Sequence, residues 1–271
     1  MFFKIHKTKY VKQLKHYGVK LKKKQVIKPL VFAFTVCVFA FLITTFSSID
    51  KTSASAYKAT TTTPVADSIQ QPSLYEELGL DSLGLSEEAF ENAMQGYEKL
   101  DSEGKLKNDK VISIIDFSLP SSKKRLFVID LQNKIVLFNT LVSHGRGSGT
   151  LNANAFSNQP NSFKSSLGFY VTGDTYIGQH GYSLRLLGEE RGINDNALAR
   201  GIVMHSAAYV NEALVKTQGY IGRSLGCPAI PEFIHKKVIE RIRNGSCLFL
   251  YSPDKAYSMR TKLLEKDTLA S

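Results

Sequence analysis

From residue 110 onward the chain is a succession of short apolar runs separated by turn-forming residues, and this pattern constrains the fold most. Residues 111–117 and 125–130 are rich in β-branched and aromatic side chains, and residues 134–142 continue the pattern after a turn at 131–133. Further strand candidates follow at residues 168–172, 183–187, 201–205 and 247–251. Many short strands predict a mostly β domain, a β-sandwich or barrel-like fold, over residues 108–257.

Helices are few and peripheral in this prediction. Ser86 suits an N-cap, and the apolar spacing that follows predicts a helix over about 87–99 within an N-terminal helical segment, residues 74–107. Short helices fit at about 195–200 and 207–215. A longer one is predicted from Pro231 to a stop at Asn244-Gly245.

The net charge of +11 belongs to the beginning of the chain. Residues 1–28 hold ten lysines and no acid, and without them 25 basic residues face 24 acidic ones. A nucleic-acid-binding surface needs basic residues on the folded body, so nucleic acid is not expected as a partner.

An export segment is predicted at the N-terminus. The lysines precede residues 30–46, which are apolar and uncharged, and Ala54-Ser55-Ala56 has the small-residue form that signal peptidases accept. Residues 1–56 are therefore expected to be a cleaved export signal or an uncleaved anchor through residues 30–46. The remainder then lies in the periplasm or cell envelope and touches the cytoplasmic membrane only through this segment. Residues 57–73 suit a flexible linker, and residues 258–271 a C-terminal tail.

Two cysteines follow the export segment, and their settings differ. Cys247 opens an apolar strand and suits a buried small hydrophobe. Cys227 lies in the run GRSLGCPA, residues 222–229, between glycine and proline, and His205 ends an apolar strand pattern twenty-two residues earlier. A disulfide between the two cysteines is the competing interpretation, and it would silence the thiol.

A thiol nucleophile needs an exposed turn, free backbone N–H groups and a base. Cys227 is accordingly the candidate nucleophile and His205 its base. Gly226 permits the sharp turn, and the amides of Gly226 and Cys227 are candidate oxyanion donors. A core cysteine with a structural histidine remains the alternative from spacing alone. His144 and His180 lack a short ligand spacing to one another, so no metal is expected. Residues 123–125 form a basic run expected to be solvated.

The order of His205, Ser224, Gly226 and Cys227 resembles the L,D-transpeptidase signature, a histidine followed by [Ser/Thr]-x-Gly-Cys. The chain is most similar to the murein L,D-transpeptidase catalytic-domain family, a divergent branch, over about residues 74–257. Matching segments are residues 141–149, 156–158, 165–170, 176–181, 194–197 and 222–229. Leu225 departs from the better-known members, which carry histidine between Ser and Gly.

This resemblance implies a cysteine acyltransferase without cofactors that acts on peptidoglycan stem peptides. The thiolate attacks the carbonyl of the third stem residue, D-alanine leaves, and an amine or water resolves the thioester. Ser224 is expected to orient His205 or the substrate, and Arg223 to bind a stem carboxylate. His144, His180, Tyr176 and Asn158 are the other expected substrate-binding residues. A sortase-like transpeptidase and a non-catalytic wall-binding protein are the alternatives.

Overall fold

A computed structural model describes residues 72–264 of the chain. Within these residues eight strands form one sheet, in the order β3-β2-β1-β8-β4-β5-β6-β7. The strands are β1 Val111–Asp116, β2 Leu126–Asp130, β3 Ile135–Thr140, β4 Gly168–Gly178, β5 Gly181–Gly188, β6 Val203–Ser206, β7 Ala229–Ile230 and β8 Cys247–Tyr251. The predictions for residues 1–56, for nearly all of the linker and for the end of the tail lie outside the described residues.

The sheet is buried most deeply at its centre. Every residue of β1, β2 and β8 is buried, which explains why these strands read as continuous apolar runs. β1 and β8 are parallel, whereas β1–β2, β4–β8 and β4–β5 are antiparallel. The core therefore lies around β1, β8 and β4, and the strand pair β6–β7 forms the edge that carries the candidate site.

The sheet curls until its two edges nearly meet. The segment after β3 reaches the opposite edge strand, where Ser143 N donates to Ala229 O at 2.8 Å and Ala229 N donates to Ser143 Oγ at 3.2 Å. A helix at residues 235–242 packs against β1 and also against β5 and β6, although these strands are far apart in the sheet. The prediction of a mostly β, barrel-like domain is confirmed.

Five α-helices lie in the described residues: α1 Leu74–Glu77, α2 Glu87–Ser102, α3 Glu212–Gln218, α4 His235–Ile242 and α5 Lys255–Ser258, with a 3-10 turn at Arg146–Ser148. The predicted cap of α2 is present, since Ser86 Oγ accepts from Ala89 N at 3.0 Å. α2 packs on β1 and β8. No helix within residues 72–264 has the length and apolar character needed to cross a bilayer.

Two other helix predictions need correction. Residues 195–200 form turns, because Asn194 Nδ2 donates to Leu167 O and Phe169 O and Asp195 Oδ1 accepts from Gly192 N. Such side-chain bonds compete with a helix for the backbone. The helix predicted at 207–215 begins only at Glu212, where Asn211 caps it.

Other predicted helix and strand boundaries also differ from the observed ones. The helix predicted from Pro231 begins at His235 but stops as expected, with Asn244 and Gly245 both at positive φ. The strands predicted at 168–172 and 183–187 extend into a longer β4–β5 hairpin.

Candidate active site

The β6–β7 pair brings the candidate nucleophile next to the strand that carries the candidate base. These strands are parallel, with His205 opposite Ala229, and Cys227 lies in the bend two residues before Ala229. The Cys227 thiol is 3.7 Å from Gly201 O, to which it donates, and it accepts a hydrogen bond from the Val203 backbone N–H. These contacts place the thiol at the beginning of β6, the strand that carries His205. No hydrogen bond joins the two side chains in the described structure.

His205 is held as a neutral base. Its ring is 2% exposed, and Nδ1 is 2.8 Å from Ser206 O. Because a carbonyl oxygen only accepts, Nδ1 carries the proton and Nε2 keeps its lone pair. Burial lowers the pKa of His205, and the nearby His180 ring lowers it further. Nε2 is therefore available to take a proton at neutral pH.

The Cys227 thiol is protonated at rest. Cys227 is partly exposed, and neither it nor the buried Cys247 forms a disulfide. Burial raises the pKa of Cys227, while the Val203 N–H and the positive charge of Arg200 oppose that shift. At neutral pH the two candidate residues are therefore a thiol and a neutral imidazole.

Ser224 shapes the turn that presents the thiol. Ser224 Oγ donates to Cys227 O at 2.6 Å and accepts from Gly226 N at 3.0 Å. The Gly226 amide is thus occupied, which corrects its assignment as an oxyanion donor. The Cys227 N–H has no hydrogen-bond partner among the described residues and is the remaining candidate. No hydrogen bond joins Ser224 to His205, so Ser224 acts on the loop instead.

Gly226 occupies a position that only glycine fits. Its φ is +128°, and an added Cβ would lie 2.9 Å from both Ile202 Cδ1 and Lys164 O. Ser165 ties this glycine to a second loop, since Ser165 Oγ donates to Gly226 O at 3.2 Å and accepts from Gly145 N at 3.1 Å. The turn is therefore enclosed on several sides.

We expect Gly226→Ala to lower activity at least about a hundredfold and to cost about 1–3 kcal/mol of unfolding free energy, because the backbone must shift at the nucleophile. Gly219→Ala is the matched control. Gly219 also has positive φ, at +84°, but open space surrounds it. Gly219→Ala should cost about 1 kcal/mol of unfolding free energy and leave turnover unchanged. Equal activity of the two variants in a turnover assay would refute the role of the turn.

His144 is fully buried and supports the site from behind. Arg125 Nη2 donates to His144 Nδ1 at 2.7 Å, and His144 Nε2 is 3.2 Å from Gly149 O. Both ring nitrogens are occupied, so we do not retain His144 as a substrate contact. Arg125 is also fully buried, so the prediction that it is solvated is wrong. Its guanidinium donates to Val142 O and Leu119 O as well as to His144.

Burial and the Arg125 charge lower the pKa of His144 to about 4. The unfolded chain binds this proton at about pH 6.5, whereas the folded protein resists it until pH falls to about 4. The contribution of His144 to stability is therefore complete above about pH 6.5 and is lost as pH falls toward 4. The contribution amounts to about 3 kcal/mol. We expect acid to destabilise the wild type more than His144→Gln, in urea melts between pH 7 and about 4. Parallel pH profiles for the two proteins would contradict this.

The remaining predicted site residues differ in the contacts that they make. His180 stacks on His205 with ring centroids 4.3 Å apart. Arg223 is exposed and donates to Gly149 O at 3.1 Å. Tyr176 lies opposite Ser183 in the β4–β5 hairpin. Asn158 Nδ2 donates to Asp195 Oδ1 at 2.7 Å, which joins two loops, so its amide is already engaged.

Three polar residues near the site were not singled out by the sequence. Ser165 links the loops around Gly145 and Gly226, Arg125 positions His144, and Arg200 lies beside the thiol loop. None of the three belongs to a recognisable motif, although Ser165 lies in a segment that matches the family. Among residues 72–264, no group of three or more His, Cys, Asp or Glu side chains could hold a metal ion.

The comparisons with known proteins show the family of this chain. A sequence model of the L,D-transpeptidase catalytic domain matches residues 81–251, and the chain belongs to that family. No curated protein matches the chain significantly.

Solved structures with a related fold include several L,D-transpeptidases. One from Mycobacterium smegmatis is 15% identical, with a TM-score of 0.33 over 53% of this chain and 59% of its own. One from Stackebrandtia nassauensis is 14% identical, with a TM-score of 0.32 over 67% and 76%. A variant of the helical cell shape determining protein Pgp2 from Campylobacter jejuni is 15% identical, with a TM-score of 0.37 over 60% and 57%. The chain thus spans less than two thirds of the Mycobacterium smegmatis and Campylobacter jejuni proteins.

Proposed function

We propose that this chain is a cysteine-dependent L,D-transpeptidase or L,D-carboxypeptidase that acts on peptidoglycan stem peptides outside the cytoplasmic membrane. The observation that carries the proposal is the Cys227 turn. Cys227 is partly exposed, its backbone N–H is unpaired among the described residues, and the free Nε2 of His205 lies on the adjacent strand. We further propose that residues 1–56 deliver or anchor the catalytic domain, residues 108–257, in the envelope.

Acylation begins with proton transfer from Cys227 Sγ to His205 Nε2 as the sulfur attacks the carbonyl carbon of the third stem residue. The carbonyl electron pair moves to oxygen, and the Cys227 N–H donates to that oxyanion. When the electron pair returns, the C–N bond breaks, and His205 gives its proton to the departing D-alanine nitrogen. The product is a thioester on Cys227.

Deacylation repeats these steps with a different nucleophile. An acceptor amine or a water molecule loses its proton to His205, attacks the thioester carbon and displaces Cys227 as a thiolate, which regains the proton. An amine gives a 3→3 cross-link, whereas water gives a shortened stem. Leu225 is 58% exposed beside the nucleophile and presents an apolar surface to either co-substrate.

The sortase-like alternative requires an arginine that follows the cysteine in the sequence and lies near the thiol. Arg241 instead pairs with the buried Asp130, and Arg243 pairs with Glu240 at 2.8 Å. Both arginines are thus engaged at the α4 surface, and we do not favour this alternative.

A matched pair of substrates tests the proposal. The full-length protein is incubated with a stem tetrapeptide ending in D-alanine and with the same peptide ending in L-alanine, and the products are resolved by mass spectrometry. We expect release of D-alanine, with tripeptide or cross-linked dimer as the second product, and no release of L-alanine. Absence of D-alanine release, with water or with an amine as the acceptor, would refute the enzymatic assignment and favour a wall-binding protein. Cleavage of a sorting-signal peptide would favour the sortase-like alternative.

A further inference from the structure

Arg200 is a partly buried cation that is bonded only to neutral oxygens. It lies in the turn segment before β6, and its side chain crosses to the loop of residues 157–166. Nη1 donates to Ser157 O at 2.8 Å and to Ser166 Oγ at 2.6 Å, while Nη2 donates to Lys164 O at 2.7 Å and to Ser162 Oγ at 3.3 Å. The guanidinium forms no ion pair in the described part of the chain, so its charge is uncompensated there.

The same guanidinium borders the nucleophile turn. A Cβ added to Gly226 would lie 3.3 Å from Arg200 Nη2, and Gly226 directly precedes Cys227. The residue after Arg200 is Gly201, whose carbonyl accepts from the Cys227 thiol at 3.7 Å. The Arg200 side chain and the next residue, Gly201, therefore both lie beside the nucleophile turn.

Three other titratable groups near the thiol, Tyr170, Tyr209 and His205, are neutral at pH 7. Tyr170 on β4 is fully buried, and its hydroxyl donates to Ser166 O at 3.0 Å. Burial raises the pKa of Tyr170 and of Tyr209, which follows β6, and lowers the pKa of His205. Within residues 72–264, Arg200 is the positive charge that acts on the thiol, and it opposes the effect of burial on the pKa of Cys227.

We propose that Arg200 is an electrostatic positioning residue that stabilises the Cys227 thiolate and clamps the loop of residues 157–166 against the nucleophile turn. This inference rests on the proposed function, in which the sulfur carries negative charge twice. It does so when it loses its proton to His205 and again when it leaves the thioester as a thiolate. A nearby fixed cation lowers the energy of both states, and a lower thiol pKa also makes the sulfur a better leaving group.

The experiment measures alkylation of Cys227 by iodoacetamide in the full-length protein between about pH 6 and 10. The modified site is identified by peptide mass spectrometry, which separates it from Cys37 and Cys247. The proteins are the wild type, Arg200→Gln, Arg200→Lys and the control Arg191→Gln. Arg191 is an exposed arginine of the same turn segment. Alkylation needs neither stem peptide nor acceptor, so it reports the thiolate apart from turnover.

We expect Arg200→Gln to slow alkylation about tenfold at neutral pH, as one unit of pKa would, and to converge with the wild type at high pH, where the thiol is ionised in both. Arg200→Lys should restore most of the neutral-pH rate because it keeps the charge, and Arg191→Gln should match the wild type.

A profile of Arg200→Gln that superimposes on the wild type would overturn the inference, as would a uniform loss at every pH that Arg200→Lys does not repair. Either result, obtained with a wild type that alkylates and releases D-alanine, leaves the proposed function intact. A wild-type Cys227 that resists alkylation at every pH would contradict both.

Discussion

Replacement of Cys227 by alanine is expected to lower D-alanine release by at least about four orders of magnitude, to the limit of detection. The variant would lose the group that we propose forms the acyl-enzyme, and binding alone supplies little rate without a nucleophile. The fold should persist, because the side chain is partly exposed in a bend and the Ser224 hydrogen bond is made to the Cys227 carbonyl. Product analysis and a thermal melt of the same preparation measure the two effects together.

Cys247→Ala is the matched control for that loss. Cys247 is fully buried on β8, where it lies opposite Ile112, and burial raises its pKa far above neutrality. Truncation there should cost about 1–2 kcal/mol of stability and leave turnover per folded molecule unchanged. Substantial turnover by Cys227→Ala, or its abolition in folded Cys247→Ala, would contradict the assignment of the nucleophile.

His205→Gln is expected to lower turnover by about a thousandfold, because no other described residue offers a free ring nitrogen on the strand beside the thiol. The pH profile provides a second readout. The pKa of His205 is lowered, so wild-type activity should decline only at pH values below the usual histidine range, where the ring becomes protonated and can no longer accept a proton. In the variant this acid limb should disappear, and the residual rate should follow ionisation of the thiol alone.

His235→Gln serves as the comparison for the base. His235 is a half-buried histidine at the start of α4, and its Nδ1 is 2.7 Å from Glu232 O. The substitution should change neither the rate nor its pH dependence. If His205→Gln kept the acid limb, or kept a rate within tenfold of the wild type, another group would have to be the base.

The fold could be predicted, and a candidate nucleophile could be singled out, because both depend on local signals. β-Branched runs alternate with turns, so β1, β2 and β8 were recognisable without tertiary information. Gly226 and Cys227 could be singled out because a glycine before a lone thiol indicates a strained, exposed turn. The segment 195–200 was mispredicted because the side-chain bonds of Asn194 and Asp195, which depend on distant partners, replaced the expected helix.

The supporting polar residues could not be predicted, because their roles depend on long-range contacts. Arg125 follows two lysines and resembled part of a solvated run, yet the curled sheet buries it against the carbonyl of Val142, seventeen residues away. Arg200 meets partners more than thirty residues distant. The occupied amide of Gly226 also follows from the rotamer of Ser224, which a motif does not specify. The sequence thus indicated the chemistry, while the three-dimensional contacts show which groups are free to perform it.

Acylation of Cys227 is tested most directly by intact mass spectrometry of the full-length protein after mixing with a carbapenem, which forms a slowly hydrolysed acyl-enzyme, followed by peptide mapping. The account predicts one adduct per chain, located on Cys227 and absent from Cys227→Ala, while Cys247→Ala retains it. A wild-type protein that stays unmodified, or an adduct located on any other residue, would contradict it.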